Sequence, residues 1–281
     1  MSSSATFEIE RADLYGRPDF FERFRVTDPA VALQTLRVAQ QEELLVFDLA
    51  GQRRGFLLRQ LGYHHVAEGE LMGEPFVISF CAICHSGVRF DPRVEGRRLH
   101  LSTGGLYNGV ALLIDDETGT YWDHMTGRAL HGPLAGKQLD AHSLHMTTVG
   151  SELERSDCAR IWVSKLKLKQ WLMSMMCMRA VRGSGFFPPG FRRTLAPANP
   201  RQPEFAQGLG VIVKDQATFY PKDRLRAGAI EDRWAGMTLK VAINPRDGVP
   251  FAVTSDGRRP LQLFLRWYGF SANYPGCRLF E

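Results

Sequence analysis

The chain has 281 residues, of which 44% are hydrophobic, 11% aromatic and 23% charged, with 27 Gly and 15 Pro. That composition excludes collagen-like, coiled-coil and wholly disordered classes, and the length suffices for two modest domains or one large one. Lys and Arg total 35 against 30 Asp and Glu, a formal charge of +5, but the Arg residues are scattered. Scattered charge argues against a nucleic-acid footprint and leaves room for an anionic small substrate.

In chain order, Asp13, Pro18, Asp28 and Pro29 punctuate an N-terminal segment, 1–43, whose one expected helix covers 30–43, with Val31, Leu33, Leu36, Val38 and Ala39 loosely on a 3.6 period. From Leu44 the pattern becomes short runs of Val, Ile, Leu and Phe broken by Gly, Asp and Glu: 44–49, 55–58, 75–80, 87–90, 98–102 and 110–114 read as strands of a first β-rich half, 44–163. Residues 164–180 read as a helix, because Leu168, Trp171, Leu172, Met175 and Met176 recur at helical spacing while Lys165, Lys167 and Lys169 solvate another side. The stretch 182–208 holds Pro188, Pro189, Pro197, Pro200 and Pro203 and reads as a lid or an interdomain strap, followed by a second β-rich half at 209–281.

A faint repeat relates the halves. Phe47, a turn, 56–61, Val66, Gly73 and 76–80 are echoed by Val211, a turn at Lys214 and Asp215, 220–225, Ile230, Gly236 and 239–243, at an offset of about 164 residues. The fold class expected is therefore α+β, mainly β, with two related strand-rich halves joined by a helix and a long Pro/Gly-rich segment. The N-terminus lacks the layout of a secretory signal and no apolar run approaches the roughly 18–20 residues of a membrane helix. A cytoplasmic protein that binds neither membrane nor nucleic acid is expected.

Five Cys, an odd number without an export signal, point to free thiols or metal ligation instead of a disulfide framework. Cys81-Ala82-Ile83-Cys84-His85 forms CxxCH. Three meanings are open: covalent haem attachment, a redox dithiol, or a metal knuckle completed by His85 or a distant His. The motif follows a strand, where small cytochromes place it on a helix, and a thioredoxin-like pair would open a helix after a βαβ unit. His124 and His131 flank a Gly-containing turn, and His64 and His65 precede the strand that delivers Cys81.

Elsewhere, Met173, Met175, Met176 and Met178 around Cys177 read as a pliable packing face or as thioether donors to Cu(I). Gly104, Gly105 and Gly109 suggest a tight turn exposing Tyr107 and Asn108, without the Lys-Ser/Thr ending of a phosphate loop. No GxSxG elbow and no HExxH motif occurs.

The run from Val77 through Cys81, Cys84 and Gly87 to Asp91 resembles the strand–CxxC–Gly–strand–Asp signature of the DUF3179 family, a domain of unknown function. Gly105-Leu106-Tyr107-Asn108, Thr118 to Trp122, Thr126-Gly127 and His131 to Leu139 support that resemblance. Where the family often carries Gly or Asn after the second Cys, this chain has His85, an added candidate ligand.

These readings lead to a cytosolic metal-dependent oxidoreductase acting on a small organic substrate. Cys81, Cys84, His85 and His124 are the expected ligands of copper or iron, with zinc or non-covalent haem as alternatives. Tyr107, Asp123 and His124 are the expected catalytic groups, and Asn108 and Trp122 the expected cofactor-binding groups. The alternative is a non-catalytic ligand- or partner-binding protein in which the CxxC pair holds a structural zinc.

Overall fold

The computed structural model describes residues 7–155, 157–182 and 187–281. It is strand-rich with few helices, the α+β, mainly β class. The strand runs are placed as their Val/Ile/Phe content directs: 44–49 lies within Glu43–Leu49, 75–80 within Glu74–Cys81, 87–90 within Ser86–Asp91 and 110–114 within Val110–Asp115.

Three five-stranded sheets organise the chain up to Trp162. One orders Asp140–Ser143, Ser86–Asp91, Glu74–Cys81, Val66–Leu71 and Phe24–Arg25. Its central strand Glu74–Cys81 is buried along nearly its whole length, which is why it reads as a continuous apolar run without alternation. A second orders His145–Thr148, Glu43–Leu49, Gln52–Leu57, Arg160–Trp162 and Val31–Ala32. The third orders Asp13–Leu14, Leu101–Tyr107, Val110–Asp115, Tyr121–Asp123 and Ala129–His131, the last four inserted between Ser86–Asp91 and Asp140–Ser143.

Toward the C-terminus the pairing order of the second sheet recurs. His145–Thr148 runs antiparallel to Glu43–Leu49, which pairs antiparallel with Gln52–Leu57, which pairs parallel with Arg160–Trp162. Likewise Leu261–Arg266 runs antiparallel to Gln207–Val213, which pairs antiparallel with Gln216–Pro221, which pairs parallel with Arg278–Leu279. A short helix follows the second strand each time, Leu58–His64 and Lys222–Leu225, and then a hairpin turns through two positive-φ residues, Met72-Gly73 and Ala235-Gly236. One cluster of buried apolar side chains nevertheless joins both regions, with Phe80, Cys84 and Trp122 in contact with the group that holds Phe219, Leu265, Trp267 and Phe270.

Three expectations need correction. Residues 30–43 form no α-helix: Val31–Ala32 is an edge strand on Arg160–Ile161 and Leu33–Thr35 a single 3-10 turn. The apolar spacing there serves instead to drop Leu33 into a cluster with Leu44, Val46, Leu57 and Ile161. Tyr107 is buried, because the turn falls one residue later, at Asn108-Gly109, where both residues take the positive φ of a two-residue hairpin.

The helix Leu168–Val181 exists, but its apolar stripe faces outward: Leu168 is 73% exposed, and Trp171, Leu172, Met175 and Met176 are exposed as well. The inward side carries small or slender groups, Ser174, Cys177, Met178 and Ala180. It packs on the helix Leu58–His64, where a Cβ on Gly62 would meet Met178 Sδ at 3.4 Å. The Pro-rich stretch is a packed strap over the part described, 187–206, with 183–186 outside the described residues. Phe187 stacks on Phe191 at 4.7 Å, and Phe191 and Phe205 pack against Tyr268.

Candidate functional site

Cys81 ends the strand Glu74–Cys81, and Ser86, its cross-strand partner, opens the next. The loop between them is closed by the His85 amide donating to the Cys81 carbonyl at 2.9 Å, with His85 itself at a φ of 62°. This turn brings the two thiols into contact, and both are free. The C-terminal strands clamp it: the Arg266 amide donates to the Cys84 carbonyl at 3.0 Å, and the Arg266 guanidinium donates to the Ile83 carbonyl and, at 2.9 Å, to that of Ala180. Gly269 completes the approach, since a Cβ there would meet Met125 Cε at 2.9 Å and Cys84 Cβ at 3.3 Å.

The two thiols differ sharply. Burial alone raises the pKa of Cys81, but the Cys84 thiol and the amides of Cys84, Ala111 and Ile83 donate to its sulfur, and the balance lowers it to about 7. Burial raises the Cys84 pKa far above that of a free thiol, and the neighbouring Cys81 sulfur adds to the effect. Cys84 Sγ also lies 2.9 Å from Ser86 Oγ, which lies 2.8 Å from His124 Nε2, while His124 Nδ1 lies 2.6 Å from Ser79 Oγ. Buried between two hydroxyls, His124 has its pKa lowered to about 3 and is neutral.

Cys81 opens into a cavity of about 340 Å³ lined by Tyr15, Phe20, Leu106, Met173, Met176 and Cys177, among others. His65 and the strap residues Pro188 and Pro189 also contribute to its wall, and Cys84 lies outside that wall. The arrangement is a thiol with thiolate character facing an apolar slot, backed by a protonated second thiol.

Of the other expected site residues, His124 alone joins the thiols, through Ser86. His85 turns the other way: Gln207 Nε2 donates to its Nδ1 at 3.2 Å, its ring packs on Phe264 at 5.3 Å, and its buried Nε2 has no partner among the described residues. Tyr107 packs on Phe7 at 4.7 Å and its hydroxyl accepts from the Glu8 amide, and Asn108 Oδ1 accepts from Arg11 at 2.8 Å. Neither lines the cavity at Cys81: strand alternation gives that face to Leu106 and turns Tyr107 away, and Asn108 lies in the turn beyond the end of the strand.

Trp122 is fully buried and donates to Asp115 at 2.8 Å. Asp123 closes its own turn by accepting from the amides of Met125 and Thr126 and from the Thr126 hydroxyl. Among the described residues, no group of three or more His, Cys, Asp or Glu is placed to hold a metal ion.

Arg266, Ser79 and Ser86 were not singled out in the sequence. Ser86 had one usable signal, a hydroxyl immediately after CxxCH at the start of a strand. Arg266 had none, since a single Arg at the end of an apolar strand looks like any solvated terminus.

Among the described residues, no helix is long and apolar enough to cross a membrane. No curated protein and no solved structure matches the chain. The family model described as "Protein of unknown function (DUF3179)" matches residues 25–260, which include the CxxC hairpin, the strands from Leu101 to His131 and the whole Pro-rich stretch, and the chain belongs to the DUF3179 family.

Proposed function

We propose that the protein is a thiol-dependent oxidoreductase acting on a small apolar organic disulfide, with Cys81 as the attacking thiol and Cys84 as the resolving one. The observation that carries this reading is the asymmetry of the pair: Cys81 alone lines the cavity, while Cys84 donates toward it from behind and contacts Ser86. The Cys81 thiolate attacks one sulfur of the substrate, the substrate S–S bond breaks, and the departing thiolate takes a proton from solvent. Cys84 then attacks Cys81 Sγ, its proton passing to the second substrate thiolate as that is expelled, and the Cys81–Cys84 disulfide closes. The substrate gains two electrons and the protein loses two, which an external small dithiol returns.

In this scheme Ser86 and His124 are positioning residues. With Nε2 of a neutral His124 fixing the Ser86 hydroxyl, that hydroxyl donates to Cys84 Sγ as negative charge develops on it. Treatment with 4,4′-dithiodipyridine tests the reading. The wild type should end as a Cys81–Cys84 disulfide, Cys84→Ser should stop as a mixed disulfide on Cys81, and Cys81→Ser should do neither. A mixed disulfide that persists on wild-type Cys81 would remove the resolving role of Cys84.

A second reading keeps the expected copper. Met173, Met176, Cys177 and His65 line the same cavity as Cys81, and thioether, thiolate and imidazole suit Cu(I). Anaerobic titration with Cu(I) against a chelating indicator separates the two: stoichiometric binding lost in Cys81→Ser and in Met173→Leu supports this reading.

A further inference from the structure

A second cavity, of about 590 Å³, lies on the other side of the CxxC loop, where strands of the first sheets meet Pro250–Thr254 and Leu261–Arg266. Arg53, Arg89, Arg155, Arg259, His142 and His145 all line it, and among its described lining residues Asp48 is the one carboxylate. Two of the guanidinium groups are already matched: Arg53 pairs with Glu152 at 2.7 Å and Asp48 at 3.0 Å, and Arg155 pairs with Asp157 at 2.7 Å.

The other two are not. Arg89 is only 8% exposed, yet among the described residues its guanidinium has no hydrogen bond and no ion pair. Arg259, exposed at the mouth, lies over the Phe251 ring and, among the described residues, has a single hydrogen-bond contact, to His145 Nδ1 at 3.4 Å, with Asp48 and Asp247 acting on it through space. His145 is held neutral, its pKa lowered to about 3 by burial and by Arg259, Arg53 and Arg155, and so brings no charge to the cleft. Holding the largely buried Arg89 with only the nearby Asp91 acting on it through space is costly, and an anion in the cleft would offset that cost.

We propose that this cleft binds a small organic oxyanion, its phosphate or carboxylate group held by Arg89 and Arg259 and its body laid against Leu144, Val249, Leu261 and Phe264. The volume exceeds that of a bare phosphate and matches small-molecule sites. Arginine is the residue suited to planar, two-point recognition of either oxyanion. Phe264 lines the cleft and packs on His85, so a ligand here sits against the back of the CxxC loop, in a different cavity from the one at Cys81. The site stands whether or not Cys81 and Cys84 are redox-active.

Isothermal titration of the full chain with inorganic pyrophosphate and, separately, citrate tests the site. At least one probe should bind saturably, more weakly as salt is added. Arg89→Met and Arg259→Met should each weaken binding about ten- to a hundredfold, with Arg89→Lys intermediate. Tighter binding of pyrophosphate would identify the ligand as a phosphoryl compound, and tighter binding of citrate as a carboxylate. Absence of saturable binding by both probes at low ionic strength, or binding unchanged in Arg259→Met, would overturn the proposal. Arg259 is exposed, so that variant keeps the test decisive if Arg89→Met does not fold.

Discussion

The amide of Arg266 donates to the carbonyl of Cys84 at 3.0 Å, joining the edge strand Leu261–Arg266 of the C-terminal sheet to the loop that carries both thiols. The Arg266 side chain adds bonds to Ile83 and Ala180, so one residue ties together the CxxC turn, the C-terminal strands and the helix that walls the cavity. Arg266→Met should cost about 2–4 kcal/mol, since two buried carbonyls lose a charged donor. It should also raise the rate at which Cys84 is alkylated. Denaturant melts and peptide-resolved alkylation check both outcomes, and a large loss of stability with unchanged Cys84 protection would confine Arg266 to a structural role.

Removing the Cys84 donor should weaken the thiolate of Cys81. In Cys84→Ala the pH midpoint of Cys81 alkylation should move up from about 7 toward the value of an ordinary thiol. Ser86→Ala should leave that midpoint nearly in place and slow closure of the Cys81–Cys84 disulfide instead, because of the two thiols its hydroxyl touches Cys84. Stopped-flow measurements of the two steps separate these effects.

Acid should unfold the protein through its histidines. Burial lowers the pKa of His65 to about 4 and those of His85, His124 and His145 to about 3, from an ordinary value of 6.5. The unfolded chain therefore binds these protons first as pH falls. The stability tied to neutral imidazoles is fully present above about 6.5 and is lost progressively below it, down toward the folded values. Denaturant midpoints measured from about pH 7.5 to about pH 4.5 should drop steadily. The drop should be shallower in His85→Gln, which removes one of these groups.

The strap should resist proteolysis between Phe187 and Phe205 although it is rich in Pro. Phe191 and Thr194 are buried in it, and Arg192 lies over the rings of Phe187, Phe191 and Phe205. Phe191→Ala should cost about 3–5 kcal/mol and open this stretch to trypsin at Arg192 and Arg193. Digestion followed by mass spectrometry would show the difference.

Strands were legible in the sequence because their signal is local: buried runs such as Val77-Ile78-Ser79-Phe80 carry branched and aromatic residues that fit a pleated surface. The helix Leu168–Val181 was legible as a helix, but not which side is buried. Gly62 on the neighbouring helix admits the face of Cys177 and Met178, leaving Trp171 and Leu172 outside.

The same limit governs the site. CxxC was visible as a pair, whereas the asymmetry between Cys81 and Cys84 depends on amides from Ala111 and on Ser86, groups that only the fold brings together. His85 and His124 looked equivalent in the sequence. They diverge because the turn's positive φ at His85 sends its ring toward Gln207, while His124 leaves the inserted sheet beside Ser79 and Ser86.

The most direct measurement is site-resolved alkylation of the native protein with iodoacetamide at neutral pH, following all five thiols by mass spectrometry. Cys158 is the most exposed of them, but burial raises its pKa above that of a free thiol, whereas Cys81 is only 2% exposed and carries the lowered pKa. If Cys81 is the reactive centre, it is modified first and Cys84 last. Modification in the order of exposure, with Cys158 ahead of Cys81, would contradict the assignment of the cavity thiol as the nucleophile.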